Sequence, residues 1–299
     1  MKITVAIPTR NRPLLLLQLL NALSDQTKKI DTVIVVDSSD HDKMLLIDDM
    51  DFGLNIVWHS TNIKSAAVQR NIALDMIEIS DLVVFLDDDV VPESTYIEKI
   101  CSPFSDSSVI GVSGIARSPD GYIRKRPSGA IGLFKRVFFL DSIHDGNLLR
   151  SGIPVPIRET TGVAVDVEWL IGCAAWRTSS IATLRFETDF IGGSLGEDVI
   201  FSARAKQLGR LVVLSGLILP HLESQVSREN TYTHWKSWVL YRRRLHRIFG
   251  AKRFPMNLII WSSLGQSMIG IVTDLMNFRW SLPIFQGIVA GLFRRDKSK

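Results

Sequence analysis

The sequence predicts an α/β fold in which helices cover both faces of a mostly parallel central sheet, with a helical extension at the C-terminus. Three observations lead there. Short β-branched runs alternate with helical patterns of roughly 10–15 residues, the rhythm of βαβ units. The runs at 3–7, 32–37 and 82–86 are apolar almost throughout, as strands buried on both faces must be. From residue 226 onward the alternation gives way to clustered arginines and long uncharged stretches.

Composition agrees with that reading. With 299 residues, 46% of them hydrophobic and 22% charged, the chain can fill one large α/β domain or two small ones. It is not the composition of a disordered chain, a collagen or a disulfide scaffold. Cys101 and Cys173 lie far apart without CxxC or Cys/His metal spacing, which reads as reduced thiols in a cytoplasmic protein. The N-terminus meets Pro8 and Arg10 too early for the apolar core of a signal peptide. The formal net charge of +4 conceals a division. From Arg228 onward there are 13 Lys and Arg against three Asp and Glu, whereas the first 227 residues hold 22 against 28. An acidic body carries a basic, apolar tail suited to a membrane surface or a polyanionic partner.

The elements follow in order. Residues 3–7 read as a strand and 13–23 as a helix with Pro13 in its first turn. Strands are expected at 32–37 and 55–59, a helix at 65–77, and strands at 82–86 and 109–115. From 116 to 166 the periodicity fails among Gly, Pro and basic residues such as Arg124-Lys125-Arg126-Pro127, and the segment reads as loops over a substrate. Order returns at 167–175, with a helix at 197–208 and a strand at 211–219. The expected domains are 1–225, in halves 1–115 and 116–225, and a tail 226–299. Internal repeats and low-complexity tracts are absent from the sequence.

In parallel sheets ligands bind beyond the carboxyl ends of the strands. Here those ends read Pro8-Thr9-Arg10, Asp37-Ser38-Ser39 and Asp87-Asp88-Asp89. Three adjacent carboxylates repel one another unless solvated, paired or bound to a cation. Alternation along a strand sets Asp87 and Asp89 on one face, suited to oxygen ligation of a hard divalent ion and, beside it, a nucleotide diphosphate. An acidic turn at a strand end is the other reading. Gly196-Glu197-Asp198 opens a helical run, where carboxylates favour the helix dipole whether or not they react. The functional reading is a general base facing an acceptor hydroxyl. Gly192-Gly193-Ser194 just before it makes a loop able to pass close to a ligand. His221, closing the strand Leu217-Ile218-Leu219-Pro220, is either structural or a further metal ligand.

The ordered set Ile7-Pro8-Thr9-Arg10-Asn11-Arg12, Val35-Val36-Asp37-Ser38, Ala67-Val68-Gln69-Arg70-Asn71, Phe85-Leu86-Asp87-Asp88-Asp89 and Gly196-Glu197-Asp198-Val199 resembles the family 2 inverting glycosyltransferases. The resemblance covers about residues 1–225 and implies their nucleotide-diphospho-sugar, or GT-A, fold. By it, Pro8, Thr9, Arg10 and Asp37 hold the nucleobase and ribose, and Arg70 orders that pocket. Asp87, Asp88 and Asp89 form the donor and metal motif, with Asp87, Asp89 and His221 around a Mn or Mg ion. Asp198 is the implied catalytic base and Glu197 an acceptor or support residue. Two departures stand out: Ser38 replaces the usual second acidic residue, and the QxxRW motif of processive members is missing. One sugar per binding event follows. The resemblance and tail imply a nucleotide-diphosphate sugar donor, hexosyl or deoxyhexosyl, and a lipid-linked saccharide acceptor in surface polysaccharide assembly. Polyprenyl-phosphate glycosyl transfer and non-catalytic nucleotide-sugar binding are the rival readings. A sugar nucleotidylyltransferase would need a glycine-rich N-terminal loop, which Ala6-Ile7-Pro8-Thr9-Arg10 is not.

The tail starts with a basic, aromatic helix at 232–249, followed by uncharged stretches at 254–273 and 280–293. Twenty helical residues reach about 30 Å, just a bilayer's hydrocarbon thickness. Ser263, Gln266, Ser267, Gly270, Asp274 and Asn277 recur at helical spacing as a polar stripe, which favours a helix lying in the membrane interface on the cytoplasmic face. A spanning helix and packing in a core or homo-oligomer interface remain the other readings. Arg242 and Arg244, with neighbouring basic residues, are expected either to form a solvated face or to meet anionic headgroups or a lipid pyrophosphate. Trp169 is a further expected acceptor contact. No nucleic-acid-binding motif accompanies the basic charge.

Overall fold

A computed structural model of the chain describes residues 1–40, 51–117, 125–158, 162–188, 195–222 and 230–294. The chain divides into two units, Met1–Ile123 with Glu159–Val226, and Arg124–Arg158 with Ser227–Lys299.

The first unit is built on one eight-stranded sheet. Strands β1 (Ile3–Thr9), β2 (Thr32–Asp37), β3 (Ile56–Ser60), β4 (Leu82–Phe85), β5 (Val109–Arg117), β6 (Ala164–Val167), β7 (Ala174–Arg177) and β8 (Arg210–Pro220) lie in the order β3-β2-β1-β4-β7-β5-β8-β6. Pairs β3–β2, β2–β1, β1–β4 and β5–β8 are parallel; β7 runs antiparallel between β4 and β5, and β6 antiparallel on β8. All seven residues of β1 and all four of β4 are buried, which explains their unbroken apolar sequence. Helix α1 (Pro13–Ser24) buries Leu16, Leu19, Leu20 and Leu23 at helical spacing in the same core as Val33, Val84 and Val112. Helices α2 (Ala66–Asp75), α3 (Tyr96–Cys101), α5 (Thr178–Ile181) and α6 (Glu197–Ala205) complete the described α-helices of this unit. The parallel register aligns the ends of β1, β2 and β4, pairing Thr9 with Asp37 and Ala6 with Phe85. The motif-bearing turns therefore leave the sheet on one edge.

The second unit holds α4 (Gly129–Val137), α7 (Thr231–Arg253), α8 (Met256–Met276) and α9 (Pro283–Phe293). Helix α4 corrects the expectation of loops across 116–166. Residues 124–158, which the sequence reading set within 1–225, group with the C-terminal helices through specific contacts. Trp261 Nε1 donates to the Val137 carbonyl at 2.9 Å, and Arg253 Nη2 to that of Leu148 at 2.8 Å. Redrawn on these units, the charge division sharpens: the second unit carries 20 Lys and Arg against five Asp and Glu, the first 15 against 26.

At the centre of the second unit, Arg242 is fully buried. Its Nη1 and Nη2 donate to Ser262 Oγ and Ser263 Oγ, each at 2.7 Å, and its guanidinium lies 3.5 Å from the Trp238 ring centroid. This corrects the expectation of a headgroup contact: the charge run Arg242-Arg243-Arg244 contains one inward-facing member, enclosed by hydroxyls from α8. Arg244 is half-buried. Most of the polar stripe of α8 also faces inward: Ser263, Ser267, Gly270 and Asp274 are buried, with neighbouring Ser262, while Gln266 is half-buried and Asn277, just past the helix, is exposed. Asp274 Oδ2 accepts the Ile284 backbone N–H at 2.9 Å, satisfying a donor in the first turn of α9.

Candidate active site

The ends of β1 and β2 are tied together before any ligand arrives. Asn11 adopts φ +55°, and its side chain exchanges hydrogen bonds with Asp40: Nδ2 donates to Oδ2 at 3.1 Å, while Asp40 N donates to Asn11 Oδ1 at 3.0 Å. Buried Gln69, on α2, donates to the carbonyls of Thr9 and Val36, both at 2.7 Å. One amide thus fixes two strand ends. Pro8, Thr9 and Asp37 are buried there, and Asp37 Oδ1 accepts the Ser39 backbone N–H at 2.8 Å. Arg10 is exposed.

The three aspartates after β4 separate by role. Asp88 turns toward β1, where it accepts from Thr9 Oγ1 and Arg12 Nη1, both at 2.8 Å. Arg12 Nη1 also reaches Asp89 Oδ2 at 3.0 Å. Burial pushes the Asp88 carboxyl up to about 6 despite Arg12 and Thr9. Burial also raises Asp89, opposed by His221. Burial works against the charge on Asp87 too, yet Arg70 and His221 hold its carboxyl below the ordinary range.

Backbone pairing brings His221 to this cluster. Val90 and His221 form an isolated antiparallel bridge, and Leu222 N donates to the Asp89 carbonyl at 2.6 Å. One ligand atom from each of Asp87, Asp89 and His221 lies within 4.8 Å of the others. His221 Nε2 is 3.2 Å from Asp89 Oδ1, but without hydrogen-bond alignment, so that buried Oδ1 has no hydrogen-bond donor. An orphaned buried oxygen, a second carboxylate and an imidazole converging on one point form a suitable donor set for a divalent cation. The expected pairing of Asp87 with Asp89 therefore holds geometrically, although both lie beyond the last strand residue, Phe85.

Arg70 carries this cluster across to α6. Its Nη2 donates to Asp87 Oδ1 at 2.6 Å and its Nη1 to Glu197 Oε1 at 2.8 Å. A Cβ at Gly172 would stand 2.9 Å from Arg70 Nη2, so the glycine makes room for the guanidinium. Burial alone would lower the Arg70 pKa, but Asp87 and Glu197 together raise it.

Helix α6 starts after Gly196 at φ +89°, a left-handed conformation suited to glycine. The helix is anchored from beneath by Phe201, which stacks on Phe186 at 4.1 Å and meets Trp176 edge-on at 5.0 Å. Glu197 is buried, Asp198 half-buried. Burial pushes Glu197 up to about 8, opposed by Arg70, while neighbouring Asp198 adds to the rise. Burial also raises Asp198, opposed by the Val199 N–H that donates to its Oδ1 at 2.8 Å. A raised carboxyl is suited to accepting a proton near neutral pH.

Asp87, Asp89, His221, Arg70 and Glu197 thus form one connected cluster, with Asp198 next to Glu197. Trp169 is half-buried between β6 and β7, and the loop Gly192-Gly193-Ser194 lies outside the described residues. Arg12 and Gln69 have structural roles that the sequence left unassigned. Their signal was membership of the Ile7–Arg12 and Ala67–Asn71 motifs; what they touch depends on contacts 33 to 77 residues away.

The family model for Glycosyl transferase family 2 matches residues 4–170, more than half of the chain. The chain belongs to glycosyl transferase family 2. Its fold is that of the GT-A enzymes. Among solved structures it is similar to Staphylococcus aureus TarS, with TM-score 0.57 and 14% identity, over 97% of this chain and 55% of that one. The chain therefore spans about half the length of that protein. It is also similar to TarS 1–349 in complex with UDP-GlcNAc, with TM-score 0.58 and 16% identity, over 97% of this chain and 90% of that one. The mannosyltransferase PcManGT from Pyrobaculum calidifontis, in complex with GDP-Man and Mn2+, matches with TM-score 0.62 and 14% identity, over 99% and 88% of the two chains. No curated protein sequence matches the chain.

Proposed function

We propose that this family 2 glycosyltransferase is a non-processive, inverting enzyme of the cytoplasmic membrane face. It moves one hexosyl or deoxyhexosyl unit from a nucleotide-diphosphate sugar to a lipid-linked saccharide in surface polysaccharide assembly. The observation that carries the reading is the convergence of Asp87, Asp89 and His221 within 4.8 Å, joined through Arg70 to the helix start that bears Asp198. The similar structures solved with UDP-GlcNAc or with GDP-Man and Mn2+ support a nucleotide-sugar donor.

Asp198 accepts the proton of the acceptor hydroxyl as its oxygen attacks the anomeric carbon. The bond from that carbon to the nucleoside diphosphate breaks, and the diphosphate departs on the opposite face. A single base without a carboxylate nucleophile gives inversion of configuration. Pro8, Thr9, Arg10 and Asp37 flank the nucleobase and ribose at the paired ends of β1 and β2. Glu197 holds Arg70 against Asp87 and keeps that side of the site positioned. Asp87, Asp89 and His221 would hold Mn or Mg, which supplies Lewis-acid stabilisation of the leaving diphosphate when bound. The basic charge of the second unit supports an anionic, lipid-borne acceptor. It serves equally a polyprenyl phosphate, in which case the lipid phosphate itself would be the nucleophile.

The test is a screen of UDP-, GDP- and dTDP-sugars with Mn or Mg, reading nucleoside diphosphate release. Metal-dependent release from one nucleotide class is expected. Release from none, or release that chelation leaves unchanged, would contradict the reading.

A further inference from the structure

The second unit turns the apolar side of α8, a helix whose one ionisable residue is Asp274, outward. On α8, Ile260, Leu264, Met268, Val272, Leu275 and Met276 are 41–75% exposed, while Ser262, Ser263, Ser267, Gly270 and Asp274 are buried. The six exposed residues fall within about 160° of the helix circumference, opposite the buried set. A helix on a water-facing surface shows the reverse arrangement.

Helix α4 extends this face. Its Ile131, Leu133 and Val137 are 67%, 58% and 51% exposed. Two contacts seat it beside α8: Phe138 stacks on Trp261 with centroids 4.6 Å apart, and a Cβ at Gly265 would meet the Phe138 side chain. The apolar surface therefore belongs to two chain segments more than 120 residues apart.

Charge selects the occupant. Among the described residues of this unit the acids are Asp141, Asp145 and Asp274. The first two are paired with Arg158 and Arg126, and the third is buried. Lys125, Arg136, Lys252, Arg279 and Arg294 are exposed. An apolar face on a unit with this excess of exposed cations matches acyl chains beneath anionic headgroups, whereas a second copy would bring like charge against like.

We propose that the outward faces of α4 and α8 together form a monotopic docking surface for an anionic lipid bilayer, with α8 lying in the plane of the interface. The proposal deepens the reading of a lipid-linked acceptor and rests on it for its biological sense. A spanning orientation would draw Arg242 and its serine seam toward hydrocarbon; lying flat, α8 keeps that seam inside the protein.

Flotation of the full-length protein with vesicles tests it, using phosphatidylglycerol–phosphatidylethanolamine against phosphatidylcholine alone. Binding to the anionic vesicles is expected to be at least about tenfold tighter and to weaken with salt. Leu133→Glu on α4 and Met268→Glu on α8, both at exposed positions, should each weaken it about tenfold. Wild-type binding by either variant would overturn the composite face. So would equal binding to neutral vesicles, or a vesicle-free dimer that both substitutions dissociate. Nucleoside diphosphate release without vesicles reads the catalytic proposal separately, and neither substitution should change it.

Discussion

Arg70 and Glu197 pair at 2.8 Å across 127 residues of sequence, and both are buried. The same guanidinium holds Asp87, so one side chain links the turn after β4 to the start of α6. Removing Arg70 would leave two carboxylates facing each other in a protected site. Arg70→Met is expected to cost about 3–5 kcal/mol of stability, measured by urea unfolding, because a broken buried ion pair strands its partners. Arg70→Lys should recover only part, since one ammonium cannot form the two-pronged contact. Wild-type stability in both variants would refute the linkage.

Arg12 has a different task. It orients Asp88 and Asp89 from the β1 side, leaving Asp89 Oδ1 turned toward His221. Arg12→Ala should weaken Mn affinity by about tenfold, the usual order for residues that hold a metal ligand in place. Calorimetric titration of Mn measures this directly, and unchanged affinity would remove Arg12 from the positioning role.

The pH dependence follows from the burial of Asp198. A general base works in its deprotonated form, and burial raises this carboxyl above the ordinary aspartate range. Activity should therefore fall as pH drops through a midpoint above about 4, the free aspartate value. A pH–rate profile of kcat/KM for donor turnover locates that limb. A midpoint at or below the free value would contradict the assignment.

Arg242 gives a prediction about the second unit. Its guanidinium is buried against two serines and an indole. Arg242→Ala should lower stability by about 2–4 kcal/mol through lost hydrogen bonds and a cavity. Thermal unfolding checks the loss. A stability-neutral substitution that selectively weakens vesicle binding would instead restore the headgroup role.

These predictions divide along what local sequence can carry. The strands were legible because β1, β2 and β4 are apolar on both faces, a pattern that needs no distant partner to be read. The positions of Asp87 and Asp89 just past a strand and of Asp198 at a helix start were legible from the patterns that flank them. Helix α4 was hidden by the glycines and basic residues around it, and it rests on Trp261. Arg242 read as a solvated or headgroup-facing charge because its serine partners lie 20 and 21 residues away. The stripe on α8 was visible, but its direction was not: periodicity identifies two faces and leaves open which meets the protein. The division at 124–158 likewise depends on contacts between segments more than 100 residues apart.

Asp198 as the base, set apart from the groups that hold the donor, is the assignment on which the proposed reaction turns. It is tested most directly by comparing Asp198→Asn with the wild type in donor binding and in turnover, under the metal and nucleotide conditions that support release. Turnover should fall by at least about a hundredfold with donor affinity kept within a few-fold. Turnover at the wild-type rate would contradict it.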